Sequence, residues 1–531
     1  MYSESEFLCG LSDSNGAFST SQDPDFISNR ALVIALLRSG ESSLTVDPSP
    51  LHESARHLEI RILELENLIV RLQAEKQQIR SCLNAQRSLM APVRRIPVDV
   101  LLHIFKLVCM NERSTLLPQG PPWVLGQVCC WWRNIVTTYP ILWSSIRGGL
   151  KYLTSRTPEI LQRALELSCE CPLHLELDLY GNGSYDETFV RQVVALIVHN
   201  SSRWESVIFT WTPRILPLFS GVYGRLPLLR SLRATFQNVW SIVQGPLYSF
   251  FSVAPSLTEM KTSGLAFQSF PVPVSQLKSF HGCFSDVREV HDLLGQIPGL
   301  LNFGITNVVL VPDKNNSPPI FHEHIRTITC RGDVLKCLGS ATFPALEEID
   351  GEEHDWTDEA VDIADRITQR SCCSIRTFRA GVIYPFARLF TLSSIKLSLT
   401  ALTLLVYKGR WDMTDHVGLF NALAVNVTSH CLLPFLRELT LKDSDGCAWY
   451  GSPFFCPEFF RMVQSRWIHP APAVRLERLT LVVKRHEYVD LKPRDVRLTP
   501  LWVLQQEGLA VRVMELTSEN WVWGQQQQGQ S

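Results

Sequence analysis

A short pattern of apolar residues that recurs along much of the chain constrains the fold more than any other feature. Each copy sets an apolar residue, two mostly polar residues and a second apolar residue in a row, as in Leu229-Arg230-Ser231-Leu232. Further copies begin at Leu257, Leu277, Leu300, Ile325, Leu346, Ile375, Leu436 and Leu476, and a shorter one, Leu402-Thr403-Leu404, has a single polar residue between its apolar residues. A unit of this size is too short to bury its own apolar face, so neighbouring units must stack to form a shared core.

The spacing between copies predicts one strand per unit. Successive copies are mostly about 20–30 residues apart, which is the interval typical of leucine-rich repeats. Upstream of them, Leu173–Leu179 alternates apolar and polar residues as a half-buried strand does, between helical patterns at Pro158–Ser168 and Asp186–His199. We therefore predict an irregular leucine-rich-repeat-like α/β solenoid over residues 151–516. A non-repeating α/β domain remains an alternative, because Leu-x-x-Leu also occurs often by chance.

A second periodicity fills residues 51–90, where apolar side chains lie alternately three and four residues apart. In heptad terms the d positions hold Leu51, Leu58, Leu65, Leu72 and Ile79, and the a positions hold Ala55, Ile62, Ile69, Lys76 and Leu83. β-Branched residues at a combined with leucine at d favour a parallel two-stranded coiled coil. We predict one long helix here, which either forms a homodimer or folds back on its own protein.

Two apolar motifs occupy residues 91–146, on either side of a Pro- and Gly-rich insert. In the first, Ile96–Phe105, Pro97 suits the first turn of a helix and Asp99 suits the positive end of the helix dipole. The second, Leu125–Trp143, contains a Val-Cys-x-x-Trp-Arg sequence and closes with Pro-x-Leu-Trp. Both motifs predict short helices with a wide apolar face.

Together the two motifs resemble an F-box, and the nearest likeness is to the F-box proteins of mushroom-forming (basidiomycete) fungi. The resemblance implies a three-helix module that docks on the Skp-type adaptor protein of a cullin–RING (SCF-type) ubiquitin ligase. The residues that it implies for adaptor binding are Ile96, Pro97, Leu101, Ile104, Phe105, Val128 and Trp132. The chain departs from the family at Ile96, where leucine is usual, and at Val98-Asp99, which replaces an acidic dipeptide. A small buried helical hairpin would show the same apolar spacing and remains the alternative.

The resemblance further implies a substrate-recognition subunit, whose box binds the adaptor and whose repeats hold a target protein while other subunits transfer ubiquitin. The alternative is a non-catalytic interaction scaffold that dimerises through residues 51–90 without joining a ligase. We predict no enzyme activity, no catalytic or metal-binding residues and no cofactor, because the common nucleotide-binding, hydrolase and metalloprotease motifs are missing. His322 and His324 are better explained by a solvated loop than by metal binding.

Composition limits the partners and the compartment. The chain has 50 Lys and Arg against 52 Asp and Glu, so its net charge of −2 argues against nucleic-acid binding. Its 15 cysteines form no Cys-x-x-Cys pair, which argues against a zinc ribbon. The N-terminus lacks the pattern of a secretory signal and no apolar run is long enough for a membrane span, so we expect a cytoplasmic or nuclear protein. The polar composition of residues 1–48 and 517–531 predicts disorder there, although the apolar patch Ala31–Leu37 is compatible with a short helix.

Overall fold

The chain folds as two compact units, Met1–Pro97 and Val98–Ser531, in the computed structural model. The structure describes residues 24–40, 47–110, 114–149, 154, 156–180, 187–212, 214–236, 249–308, 319–351, 356–381, 393–406, 413–425, 432–443, 456–468, 473–484 and 499–516. In those parts of the chain no helix is both long enough and apolar enough to cross a membrane.

The described residues of the first unit form two α-helices, α1 (Pro24–Ser39) and α2 (Ser49–Met90), and a short 3-10 helix, Pro92–Arg95. α1 lies in a segment for which we expected mostly disorder. A helix forms there because Pro24 suits the first helical turn and the apolar run after it continues the helix. α2 has 42 residues and a length of about 63 Å, and none of its residues is buried. It ends where Pro92 favours the extended conformation of Ala91 (φ −57°, ψ 133°).

The second unit begins with three helices, α3 (Val98–Cys109), α4 (Pro121–Val128) and α5 (Cys130–Thr138). A proline starts α4, since the first helical turn has no use for the N–H that Pro121 lacks. α5 follows an N-cap at Cys129, whose Sγ accepts the N–H of Trp132 at 3.5 Å. The prediction of a helical N-terminal part is therefore confirmed.

One sheet of fourteen parallel strands follows, built from the described residues, and its strand order is the order of the chain. The strands are β1 (Ser145–Gly149), β2 (Leu173–Asp178), β3 (Trp204–Trp211), β4 (Ser231–Phe236), β5 (Glu259–Ala266), β6 (Ser279–Phe284), β7 (Asn302–Val308), β8 (Thr327–Cys330), β9 (Glu348–Asp350), β10 (Thr377–Ala380), β11 (Ala401–Val406), β12 (Glu438–Asp443), β13 (Arg478–Lys484) and β14 (Ala510–Leu516).

Helices and short 3-10 turns connect the strands, because parallel neighbours need a crossover. The helices are α6 (Thr157–Leu167), α7 (Glu187–His199), α8 (Val287–Gln296), α9 (Asp358–Ser371), α10 (Ser393–Lys396), α11 (Met413–Leu423), α12 (Pro457–Ile468) and α13 (Thr499–Gln506). Buried apolar side chains form one cluster that runs along the whole sheet. Each unit thus contributes one strand and one return segment to a shared core.

Each copy of the recurring pattern places its second apolar residue inside a strand and its first in, or just before, that strand. At β8, for example, Ile325 before the strand is 0% exposed and Ile328 within it is 1% exposed. The strands pair in register, so that Ile328 lies beside Phe303 of β7 and Ile349 of β9. The prediction of a parallel-strand region that resembles a leucine-rich-repeat solenoid is therefore confirmed.

Candidate docking surfaces

A small apolar core holds α3, α4 and α5 together. Leu101 and Phe105 lie one turn apart on the inner side of α3 and are 1% and 0% exposed. The ring of Phe105 meets that of Trp132 on α5 at a centroid distance of 4.8 Å and an interplanar angle of 62°. Edge-to-face contacts of this kind stabilise a core beyond the apolar area that they bury.

Hydrogen bonds from side chains to the backbone fix the helices in place. Arg133 Nε on α5 donates to the Gly126 carbonyl of α4 at 2.9 Å. Trp143 Nε1 donates to the Val136 carbonyl at 2.8 Å, and the Trp143 ring lies 4.6 Å from the ring of Trp123. Because these bonds join α4, α5 and the segment after α5, the helices have a defined arrangement.

Arg147 of β1 ties the end of α3 to the sheet. Its guanidinium donates to the Met110 carbonyl at 2.6 Å, and its backbone N–H donates to Thr115 Oγ1 at 2.9 Å. The N–H of Thr115 donates in turn to the Arg147 carbonyl at 2.9 Å. The chain between α3 and α4 is thus hydrogen-bonded to the first strand, which positions the helices at the beginning of the sheet.

The outer side of α3 carries a row of apolar side chains that face solvent. Val100, Ile104, Leu107 and Val108 are 49%, 41%, 55% and 37% exposed, and positions four, seven and eight residues apart share one side of a helix. We call these four residues the α3 stripe. Exposed apolar patches on a folded protein commonly mark sites of contact with another protein.

The residues that the resemblance implies for adaptor binding divide between the surface and the interior. Pro97, Ile104 and Val128 are exposed, whereas Ile96 and Trp132 are half-buried. Leu101 and Phe105 are buried, since they pack the chain's own helices together, so the free chain does not present them at its surface.

Val100, Leu107 and Val108 of the α3 stripe were not predicted as docking residues, although the sequence contains an apolar row that includes two of them. α3 has apolar residues at 101, 105 and 109 and a second apolar row at 100, 104 and 108. The two rows lie side by side, and spacing alone does not tell which one faces the interior. Val124 and Val128 on α4 are likewise apolar residues at helical spacing that face solvent, since they are 45% and 57% exposed.

A groove of about 550 Å³ lies on the sheet where β7 to β11 begin. Its lining residues are Leu301, Asn302, Arg326, Thr327, Glu347, Glu348, Arg376, Thr377 and Thr400. The residue before each of these strands has a carbonyl that accepts two N–H groups from the next unit. The Arg326 carbonyl accepts from Glu347 and Glu348 at 2.9 and 3.0 Å, and the Glu347 carbonyl from Arg376 and Thr377 at 2.8 and 3.1 Å. This bonding spaces Arg326, Glu347 and Arg376 one strand apart, about 4.8 Å.

These three charged residues form no ion pair with any residue that the structure describes. Several charges elsewhere on the sheet are paired between neighbouring strands, as Arg478 is with Glu438 at 2.7 Å and Arg147 with Glu176 at 3.2 Å. Glu348 also lines the groove, but Arg379 binds it at 3.2 Å. Among the described residues, the groove therefore presents two unpaired guanidinium groups on either side of one carboxylate.

Candidates for metal or nucleophilic chemistry have structural roles. The expectation of a solvated loop is wrong for His322, which is 4% exposed and whose Nε2 donates to the Ile297 carbonyl at 2.8 Å. Within the described ranges, no group of three or more His, Cys, Asp and Glu side chains is placed to hold a metal ion. Burial raises the pKa of Cys109 and of Cys337 to about 12, which keeps both thiols protonated and unreactive near neutral pH.

Comparison with known proteins adds little to these observations. No family model and no curated protein matches the sequence. Among solved structures, the chain is similar to the leucine-rich repeat-containing protein LegL7 from Legionella pneumophila, at 13% sequence identity and a TM-score of 0.30. That alignment covers 67% of this chain and 97% of the other. A TM-score this low supports no argument about function.

Proposed function

We propose that the chain is a substrate-recognition subunit of a cullin–RING (SCF-type) ubiquitin ligase. In this proposal α3 to α5 dock on the Skp-type adaptor, and the sheet holds the target protein. The chain performs no chemistry itself, because binding alone raises the effective concentration of the target near the ubiquitin-conjugating subunit. The observation that carries the proposal is the exposed α3 stripe, on helices whose sequence resembles an F-box.

The α3 stripe has the properties of a docking surface. α3 has 12 residues, and it leaves the α3 stripe in water while burying Leu101 and Phe105 on its other side. Covering a side chain of this size completely contributes about 1.5–3 kcal/mol, so a side chain that is already half covered still contributes about 1 kcal/mol. The four residues of the α3 stripe together contribute about 4 kcal/mol toward binding a partner that offers an apolar face.

The groove at β7 to β11 supports a role in holding the target. Arginine binds carboxylates through two parallel hydrogen bonds, so the unpaired Arg326 and Arg376 favour a target segment with acidic side chains. Glu347 lies between them and repels an uninterrupted run of acidic residues. The segment that fits best therefore alternates, with a basic residue between two acidic ones.

A variant of the α3 stripe tests adaptor docking. We expect Ile104→Glu combined with Leu107→Glu to weaken binding of the purified Skp-type adaptor by roughly a hundredfold, because two covered apolar contacts become buried charges. Isothermal titration calorimetry with the full chain measures the dissociation constant. Both positions are exposed in the free chain, so the variant should fold normally.

The control adds the same two negative charges at exposed positions that are not members of the α3 stripe, one on α3 and one on α4. His103→Glu combined with Gln127→Glu changes two exposed positions and should leave the dissociation constant within about twofold. Leu101 is unsuitable for this purpose, since it is buried and its replacement would disturb the helices. Absence of adaptor binding by the parent chain, or equal binding by all three chains, would contradict the proposal.

A second experiment tests the groove. A fluorescein-labelled peptide Glu-Ser-Lys-Ser-Glu should bind the full chain, and Arg326→Ser combined with Arg376→Ser should weaken that binding by roughly tenfold, as expected for two partly exposed ion pairs. Fluorescence anisotropy at low salt measures the affinity. The control replaces two other arginines of the sheet with serine, Arg437 and Arg478. These already pair with Glu477 and Glu438, so they are not free to bind the peptide. If the control weakens binding as much, the attraction is a general property of the sheet rather than of the groove.

A further inference from the structure

α2 exposes a long apolar seam that no described residue of its own chain buries. Its heptad a and d residues include Leu58, Ile62, Leu65, Ile69 and Leu72, which are 39%, 54%, 45%, 52% and 46% exposed. No residue of the 42-residue helix is buried. A helix with such a seam is only marginally stable alone in water, because most helical stability in proteins comes from packing an apolar face.

The residues of the seam point to a second copy of the same helix. In a parallel pair each a residue faces its own counterpart, and so does each d residue. Isoleucine at a, as at Ile62 and Ile69, and leucine at d, as at Leu58, Leu65 and Leu72, is the combination that selects two parallel strands over three or four. The seam continues through Ile79 and Leu83, which extends it over more than the three to four heptads that a coiled coil requires.

The charges beside the seam agree with this partner. A parallel pair in register brings each g residue next to the e residue five positions later on the other helix. Arg61 at g then lies next to Glu66 of the second copy, and Glu75 at g lies next to Arg80 of the second copy. Opposite charges meet at both places, and symmetry repeats each pair. Arg61 contacts the exposed Glu64 of its own helix at 2.8 Å, a pairing that is easily exchanged.

We propose that two copies of this chain associate through α2 as a parallel, in-register, two-stranded coiled coil. The assembly carries two sets of docking helices and two repeat sheets. This proposal is independent of the proposed function, since it concerns residues 49–90 alone and requires neither the adaptor nor a target. Lys76 is the one charged residue at an a position of the seam, and it weakens the pair while opposing other registers.

α2 also provides a matched control for a test of the seam. Leu63 and Val70 are apolar and 58% and 63% exposed, but they lie at b positions, away from the seam. We expect Leu65→Glu combined with Leu72→Glu to convert the full chain from twice the mass of one chain to the mass of one chain. Leu63→Glu combined with Val70→Glu adds the same charge to the same two turns and should leave the doubled mass unchanged. Sedimentation equilibrium at micromolar concentration measures both.

A variant that is expected to strengthen self-association distinguishes the loss of seam contacts from misfolding of the chain. Replacing Lys76 with isoleucine restores a β-branched apolar residue at a, so it should tighten self-association by roughly tenfold. A damaged protein does not gain affinity for itself in this way. A parent chain that is monomeric at micromolar concentration, a trimeric or tetrameric mass, or equal loss of mass in the seam and control variants would each overturn the proposal.

The orientation of the two helices is tested by cross-linking. In the parallel arrangement position 83 faces itself, so Leu83→Cys should form a disulfide between copies in oxidised glutathione faster than the parent chain does. In an antiparallel arrangement position 83 would instead face a d position near the start of the other helix, Leu51 or Leu58. Cross-links would then form when Leu83→Cys chains are mixed with Leu51→Cys or Leu58→Cys chains, and no faster in Leu83→Cys chains alone than in the parent. The second result would overturn the parallel arrangement.

Discussion

Replacing Trp211 with alanine is expected to lower the free energy of unfolding of the repeat sheet by about 3–5 kcal/mol. Trp211 is 0% exposed at the end of β3, where it contributes to the centre of an aromatic cluster. The ring centroids of Phe209, Phe219, Phe236, Phe251 and Phe270 lie within 6.1 Å of its own. Removing the indole opens a cavity among five rings from different units, and these rings cannot all move to fill it.

Urea unfolding followed by far-ultraviolet circular dichroism measures this loss. Tyr223 provides the control, because it is an aromatic residue nearby that is 58% exposed, and Tyr223→Ala should change the free energy of unfolding by less than about 0.5 kcal/mol. Since units of such a sheet contact mainly their neighbours, the loss should concentrate around β3 to β5 in hydrogen exchange. Similar unfolding midpoints for the two variants would mean that the cluster does not stabilise the sheet.

Replacing Arg466 with methionine should cost about as much, roughly 3–5 kcal/mol, for a different reason. Arg466 of α12 is 0% exposed, and its guanidinium donates to three backbone carbonyls. These belong to Leu423 at 2.6 Å, Leu432 at 2.6 Å and Leu433 at 3.2 Å. Leu433 has a φ of 50°, a left-handed conformation that is unfavourable for leucine and that this hydrogen bond helps to maintain. Methionine fills the space but donates no hydrogen bond to the three carbonyls.

The nearby Arg475 is a suitable control for the loss of an arginine. It is exposed, and its guanidinium carbon lies 3.4 Å from the ring centroid of Trp467. Arg475→Met removes this cation–π contact, which contributes about 0.5–1 kcal/mol at an exposed site, and the hydrogen bond from Arg475 Nε to the Trp467 carbonyl at 3.0 Å, which contributes about 0.5–1.5 kcal/mol. Thermal unfolding of the two variants, compared with the parent, should therefore give clearly separated midpoints. Equal midpoints would mean that water replaces the guanidinium at the carbonyls of α11 and the turn before β12.

The sequence predicts most strands of the sheet because each unit has to bury residues at two fixed positions, as Ile325 and Ile328 show. β1 is missing from the prediction for a physical reason. Its Gly148 lies in register with Leu177 of β2, so it stands where the other strands have an apolar residue. The side chain of Leu116, from the insert between α3 and α4, occupies that space, and it lies 2.6 Å from the point that a Cβ on Gly148 would occupy. Because the apolar side chain beside β1 comes from another segment, the sequence of β1 itself lacks the apolar pattern that predicts the other strands.

The candidate docking surface could be predicted only in part. The motifs around Pro97 and Trp132 predict short helices, but α3 is apolar on two sides and the choice of the buried side depends on its contact with α5. The groove and the role of Arg466 have no local signal either. Both arise from residues that are far apart in sequence and meet only when the units stack. The predicted heptads, in contrast, are readable because the whole seam lies within one helix.

The serial order of the sheet has a consequence for how such a chain tolerates changes in length. Each described strand is hydrogen-bonded only to the described strands immediately before and after it in the chain. Inserting one whole repeat unit therefore breaks a single junction between neighbouring strands, and deleting one removes two such junctions and creates one, whereas a sheet that interleaves distant segments would be disturbed at more places. The connection from β12 to β13 is already about twice as long as that from β8 to β9. The strands nevertheless pair in chain order across both connections.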